Sequence, residues 1–151
     1  MRFKQMRELL EYVSQCRVAM SKLYDRLDHQ ADSSRVKLLL EYLRNHQLEV
    51  AKKMDQYIED APDGVLDTWF KRLDYDDIVA ECTHIVLEGG ADEHAVMDLA
   101  LELDNKVLSL LHLALEQSEH QETQAALEAV LAAERVRQQR FVHSTLRMDD
   151  I

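Results

Sequence analysis

The stretch FKQMRELLEYVSQCRVAMSKLYDRLDH, residues 3–29, places apolar side chains at Met6, Leu9, Leu10, Val13, Cys16, Met20, Leu23, Tyr24 and Leu27. Steps of three and four put all of them on one face of a helix that turns once in about 3.6 residues. No glycine or proline interrupts the run. It therefore reads as one long amphipathic helix whose apolar stripe must be covered by something else.

Working outward, Ala31-Asp32-Ser33-Ser34 breaks this helix and supplies cap residues for a second one over 34–59. The second face reads Val36, Leu39, Leu40, Leu43, His46, Val50, Met54 and Tyr57. Pro62-Asp63-Gly64 ends it, and a connector over 61–91 follows. Val65, Leu66, Trp69, Phe70 and Leu73 predict one short amphipathic helix there. Ile78, Val79, Cys82, Ile85 and Val86 predict another, opened by Asp74-Tyr75-Asp76-Asp77 and closed by Gly89-Gly90. A third long helix spans 92–117, with Val96, Leu99, Ala100, Leu103, Val107, Leu110, Leu111 and Ala114 inward. Ser118-Glu119-His120-Gln121 has capping-box spacing and opens a last helix over 119–147.

Only three glycines and one proline occur in 151 residues, and Leu, Ala, Glu, Gln, Arg and Met outnumber strand formers. Those side chains lose little freedom in a helix. The fold class expected is all-α, in one domain over 1–151. Four helices of ~26 residues, each ~40 Å long, must bury one another's stripes. Short turns join the first pair and the last pair, while the connector is long enough to recross. An antiparallel four-helix bundle with one long crossover containing short helices follows.

The formal net charge is −11, from 29 acidic and 18 basic residues. Such a surface repels phosphate, and no basic stripe interleaved with aromatics offsets it. Nucleic acid and anionic membranes are therefore not expected partners. The opening MRFKQMRELL has no apolar stretch behind it, and no segment reaches the roughly 20 apolar residues needed to span a bilayer. Cys16 and Cys82 have no metal spacing and read as reduced, buried thiols in a cytoplasmic protein.

Advancing about 100° per residue around each helix shows polar groups on the inward side. Arg17 falls among Val13, Cys16, Met20 and Tyr24. His46 falls between Leu43 and Val50, and Asp104 among Ala100, Val107, Leu108 and Leu111. Glu134 lies mid-stripe between Leu131 and Gln138, with Arg137 at the edge near Phe141. One reading pairs Arg17 and Arg137 with Asp104 and Glu134, with His46 hydrogen-bonded beside them, so that the interior charges cancel. Another is a mononuclear metal site on His46, Asp104 and Glu134. In a third the arginines reach solvent along their stems. Glu11 and Glu102 lie off the stripes.

The segments Glu134-Arg-Val-Arg-Gln-Gln-Arg-Phe141 and Leu43-Arg-Asn-His-Gln-Leu-Glu-Val50 resemble the fourth- and second-helix metal motifs of ferritin-like proteins, rubrerythrins in particular. In that family two helices each supply a Glu and the other two each supply Glu-x-x-His. The resemblance implies ligand positions at Leu10, Leu43, His46, Leu101, Asp104, Glu134 and Arg137. Leu10 and Leu43 stand where Glu belongs, and Arg137 where His belongs. A metal pair needs bridging carboxylates, and an adjacent guanidinium opposes it. The chain therefore reads as a ferritin-like bundle with a degenerate di-metal site. The expected function is structural or interactive and not enzymatic, with no cofactor. Trp69, Phe70, Ile85 and Val86 suggest association as a homodimer or with a protein partner. The competing reading is a rubrerythrin-type oxidoreductase that binds iron or another divalent metal at an altered site.

Overall fold

The computed structural model describes residues 1–149, so Asp150 and Ile151 of the expected domain lie outside the described residues. The chain runs β1 (Arg2–Gln5), α1 (Met6–Gln30), α2 (Ser34–Asp60), α3 (Asp63–Leu66), β2 (Trp69–Asp74), α4 (Ile78–His84), α5 (Glu93–Gln117) and α6 (Gln121–Asp149). It is predominantly helical, and among the described residues four helices have 25 residues or more. A three-residue turn folds α2 back along α1, which it follows closely; α5 packs on α6, and α2 also touches both. Among the described residues, no helix is long and apolar enough to cross a membrane.

The stripes read from the sequence become the core. Met6, Leu9, Leu10, Val13, Cys16, Met20, Leu23 and Tyr24 of α1 are completely buried, as are Leu43, Val107, Leu110, Leu111, Ala114 and Leu127. Burying a Leu or Met side chain contributes roughly 1.5–3 kcal/mol each. Capping residues set the helix starts. Ser33 accepts from Val36 N, Asp77 from Ala80 N and Asp92 from Ala95 N. Ser118 does not open the last helix, as its spacing suggested; it closes α5, and α6 begins at Gln121.

The connector departs from expectation in its first half. Only Asp63–Leu66 is helical, and Trp69–Asp74 is a strand. It pairs antiparallel with β1, matching Arg2 to Asp74, Phe3 to Leu73 and Gln5 to Trp69, with a bulge between Phe3 and Gln5. Phe3 sits at helical spacing from Met6 and Leu10, so periodicity alone places it in the first helix. The contact that decides otherwise, Leu73, lies far along the chain; both side chains are buried.

The connector's second half is tied to α1 by polar groups. Tyr12 Oη accepts from Ile78 N at 2.8 Å and donates to Asp77 Oδ1 at 3.0 Å. Arg26 donates to the carbonyls of Cys82 and Ile85 at 3.1 and 2.8 Å, which satisfies the end of α4. Gly89 allows the last approach. Its carbonyl accepts from Asp32 N at 3.1 Å. A Cβ at that position would come within 3.2 Å of Gln30 O and an Asp32 carboxylate oxygen.

Candidate functional site

Four side chains, one from each long helix, meet inside the core. Arg17 of α1 is only 2% exposed. Its Nη1 donates to Asp104 Oδ1 on α5, and to Gln47 Oε1 on α2 at 3.1 Å. Its Nη2 donates to Glu134 Oε2 on α6 at 3.0 Å. Gln47, Asp104 and Glu134 are buried as well. The planar guanidinium fork suits this task, because it directs separate N–H groups at separate acceptors.

A second layer closes the charge balance. Arg137 Nη1 donates to the other oxygen of Glu134 at 3.2 Å, one turn along α6. Gln138 Nε2 donates to Asp104 Oδ2 at 2.7 Å and to Asn105 Oδ1 at 2.8 Å. Two arginines thus face two carboxylates, which is the condition for holding charge in an interior. Burial pushes the Arg17 pKa down, yet Asp104 and Glu134 outweigh it and hold the group more firmly charged than a free arginine.

His46 lies outside this set of hydrogen bonds, which corrects the expected network. Its ring is half-buried between Tyr42, stacked at 6.1 Å, and Phe141, tilted at 5.3 Å. Burial, and then the positive Arg17, push its pKa below the ordinary histidine value, so the neutral ring is favoured. The second-helix member is instead Gln47. The signal for it was present: Leu40, Leu43, Gln47, Val50 and Met54 step by three and four as regularly as any stripe in the chain. A neutral amide attracts less notice than an imidazole.

The remaining assignments fall as follows. Asp104 and Glu134 are brought together, on one guanidinium. Arg137 is a partner of Glu134 but keeps about a quarter of its side chain exposed. Leu10 and Leu43 are wholly buried, and Glu11 and Glu102 are exposed. Among the described residues, no group of three His, Cys, Asp or Glu side chains is placed to hold a metal ion. Cys16 and Cys82 are free and buried, and burial pushes their thiols up to about 12 and about 11. Thiols held protonated are poor nucleophiles and poor ligands. Tyr24 Oη and Arg17 Nε are buried without a hydrogen-bond partner among the described residues.

Compared with known families, curated proteins and solved structures, the chain matches none.

The arrangement gives a rigid ionic cross-link at the centre of the core. One guanidinium ties three other helices to α1, with its proton held and its partners satisfied. A groove of about 650 Å³ lies elsewhere, among Leu38, Leu39, Met97, Leu101, Val142 and Leu146.

Proposed function

We propose that this chain is a ferritin-like four-helix bundle of the rubrerythrin kind in which a buried guanidinium has replaced the metal pair, and that it works as a structural or interaction protein. The observation that carries the reading is Arg17, bonded at once to Asp104 and Glu134. Both carboxylates occupy positions where the resemblance puts ligands. A fixed cation between them neutralises the charge that a metal would otherwise neutralise, and no divalent ion shares that volume with an arginine that cannot lose its proton. Leucines at 10 and 43 remove further ligands from the same set. The reading includes a cytoplasmic setting and association through the connector, as a homodimer or with another protein. Of the four apolar residues expected there, Trp69 and Val86 are exposed, Ile85 is half-buried and Phe70 faces inward.

Metal analysis tests it. The protein purified without chelator and offered ferrous iron is expected to hold far less than a pair of ions per chain. A stoichiometric pair with the absorbance of an oxo-bridged centre would overturn the reading. The reverse engineering is equally informative. Arg17→Ser, Leu10→Glu, Leu43→Glu and Arg137→His together remove the guanidinium and supply three of the family's missing ligands, and the variant is expected to be stabilised in proportion to added metal.

A further inference from the structure

The sheet formed by β1 and β2 carries an excess of cations on an otherwise acidic chain. Phe3, Phe70 and Leu73 turn inward. Arg2, Lys4, Trp69, Lys71, Arg72 and Asp74 are all exposed. The two strands therefore carry four exposed cations and an exposed indole against one carboxylate, on a chain whose net charge is −11. The indole is 64% exposed, although tryptophan is a residue that folding normally covers. Two of the cations have carboxylate neighbours: Lys71 at 2.9 Å from Glu119 and Arg72 at 3.2 Å from Asp74. All four of those side chains are at least half exposed, and such pairs exchange readily for better partners.

We infer that this sheet face docks an acidic, partly apolar segment of another protein, with Trp69 as the anchor and Arg2, Lys4, Lys71 and Arg72 as the charged rim. The inference rests on the proposed role as an interaction protein and names its partner's chemistry. Tryptophan and arginine are among the residues in which binding energy concentrates at protein interfaces. Complementary charge steers a negative partner to these cations and fixes its register. A two-fold contact between copies centred here would set four cations against four, a like-charge arrangement that association disfavours. Nucleic acid and anionic lipid would find the same cations, but both extend beyond the sheet and meet the acidic remainder of the surface.

Trp69 is the only tryptophan in the chain, so its fluorescence reports on this face alone. The probe is a short peptide of glutamates interspersed with valines, with a lysine-for-glutamate peptide as control. The acidic peptide is expected to shift the emission to the blue, saturably, with an affinity that falls as salt is added. The double variant Lys71→Glu/Arg72→Glu is expected to weaken binding roughly tenfold or more, and Arg2→Glu/Lys4→Glu likewise, while Lys52→Glu on α2 leaves it unchanged. Circular dichroism confirms that each variant is folded. No shift with the acidic peptide, or an equal shift with the basic one, overturns the inference. So does a stronger response to phosphatidylserine vesicles or single-stranded DNA, or a shift on raising the protein concentration alone. Metal analysis bears on the proposed bundle role and leaves this fluorescence result untouched, so the two can fail separately.

Discussion

Arginine meets carboxylate in two regions of this molecule, under opposite conditions. In the core, Arg17 holds Asp104 and Glu134 with almost no solvent contact. At the sheet, Arg72 lies 3.2 Å from Asp74 with most of its side chain in water. The chemical groups are the same and the distances similar, yet the consequences differ. In water a guanidinium that loses its partner is rehydrated at once, so the pair contributes little. In the core water does not replace a lost partner, and the unpaired charge costs far more than the pair ever stabilised. The buried set therefore fixes how four helices meet, while the exposed set is available for exchange.

The largest effect should come from Arg17→Met. It keeps most of the side-chain volume and leaves Asp104 with the neutral Gln138 and Glu134 with the partly exposed Arg137, at an expected cost of about 3–5 kcal/mol. Adding Asp104→Leu and Glu134→Leu removes the stranded charge and should recover most of that loss. Denaturant melts of the single and triple variants decide it. A single variant within about 1 kcal/mol of the parent would mean that the core set behaves like the surface set, and the contrast would collapse.

Arg137→Ala should fall between the two regimes. Its partner Glu134 is buried, but its own side chain is about a quarter exposed, and Arg17 still holds the other Glu134 oxygen. The expected loss is about 1 kcal/mol, read from the same melts. A loss as large as that of Arg17→Met would show that the carboxylate depends equally on both arginines.

How much of this could be read beforehand depended on how local the cause was. The long helices follow from spacing within each segment, so their positions were legible to within a few residues. The buried charges were legible too, because Arg17, Asp104 and Glu134 interrupt otherwise apolar faces. The β1–β2 pairing was not. It depends on Phe3 finding Leu73, and each of those side chains fits a helical stripe in its own segment. His46 misled for a related reason: it lies one position from Gln47, and a face drawn through Leu39 and Leu43 accommodates either. Which of them meets Arg17 depends on the rotation of α2 against α1, fixed by packing along the whole pair.

His46 supplies a smaller, pH-dependent test. An unfolded chain protonates this ring at the ordinary value of 6.5, whereas the folded chain resists to a lower pH. Below 6.5 the unfolded state therefore binds more protons, and stability falls as pH drops, levelling off once the folded ring is protonated too. Above that value His46 contributes no slope. Burial is the main cause, with Arg17 and Lys53 acting in the same direction and Asp104 and Glu49 against it. His46→Gln should flatten this part of the profile in melts taken from neutral pH downward. An unchanged profile would place the ring in solvent and detach it from the core set.

The smallest effect belongs to the surface pairs, and it is the control on which the contrast depends. Arg7 lies 3.3 Å from Asp67 and 3.5 Å from Asp63, at the start of the connector, and both carboxylates are more than half exposed. A bridge between α1 and a distant segment looks structural. Its geometry is nevertheless that of a solvated pair, with long side chains that lose freedom on pairing and salt that screens the attraction. Arg7→Ala should cost about 0.2–1 kcal/mol in low salt, and less as ionic strength rises. The same melts, repeated across salt concentrations, should leave the Arg17→Met loss nearly constant, because a buried set is shielded from counterions. Salt sensitivity therefore separates the regions independently of the absolute losses. If both variants responded to salt alike, the guanidinium of Arg17 would have to be reachable by water, contrary to its placement among four helices.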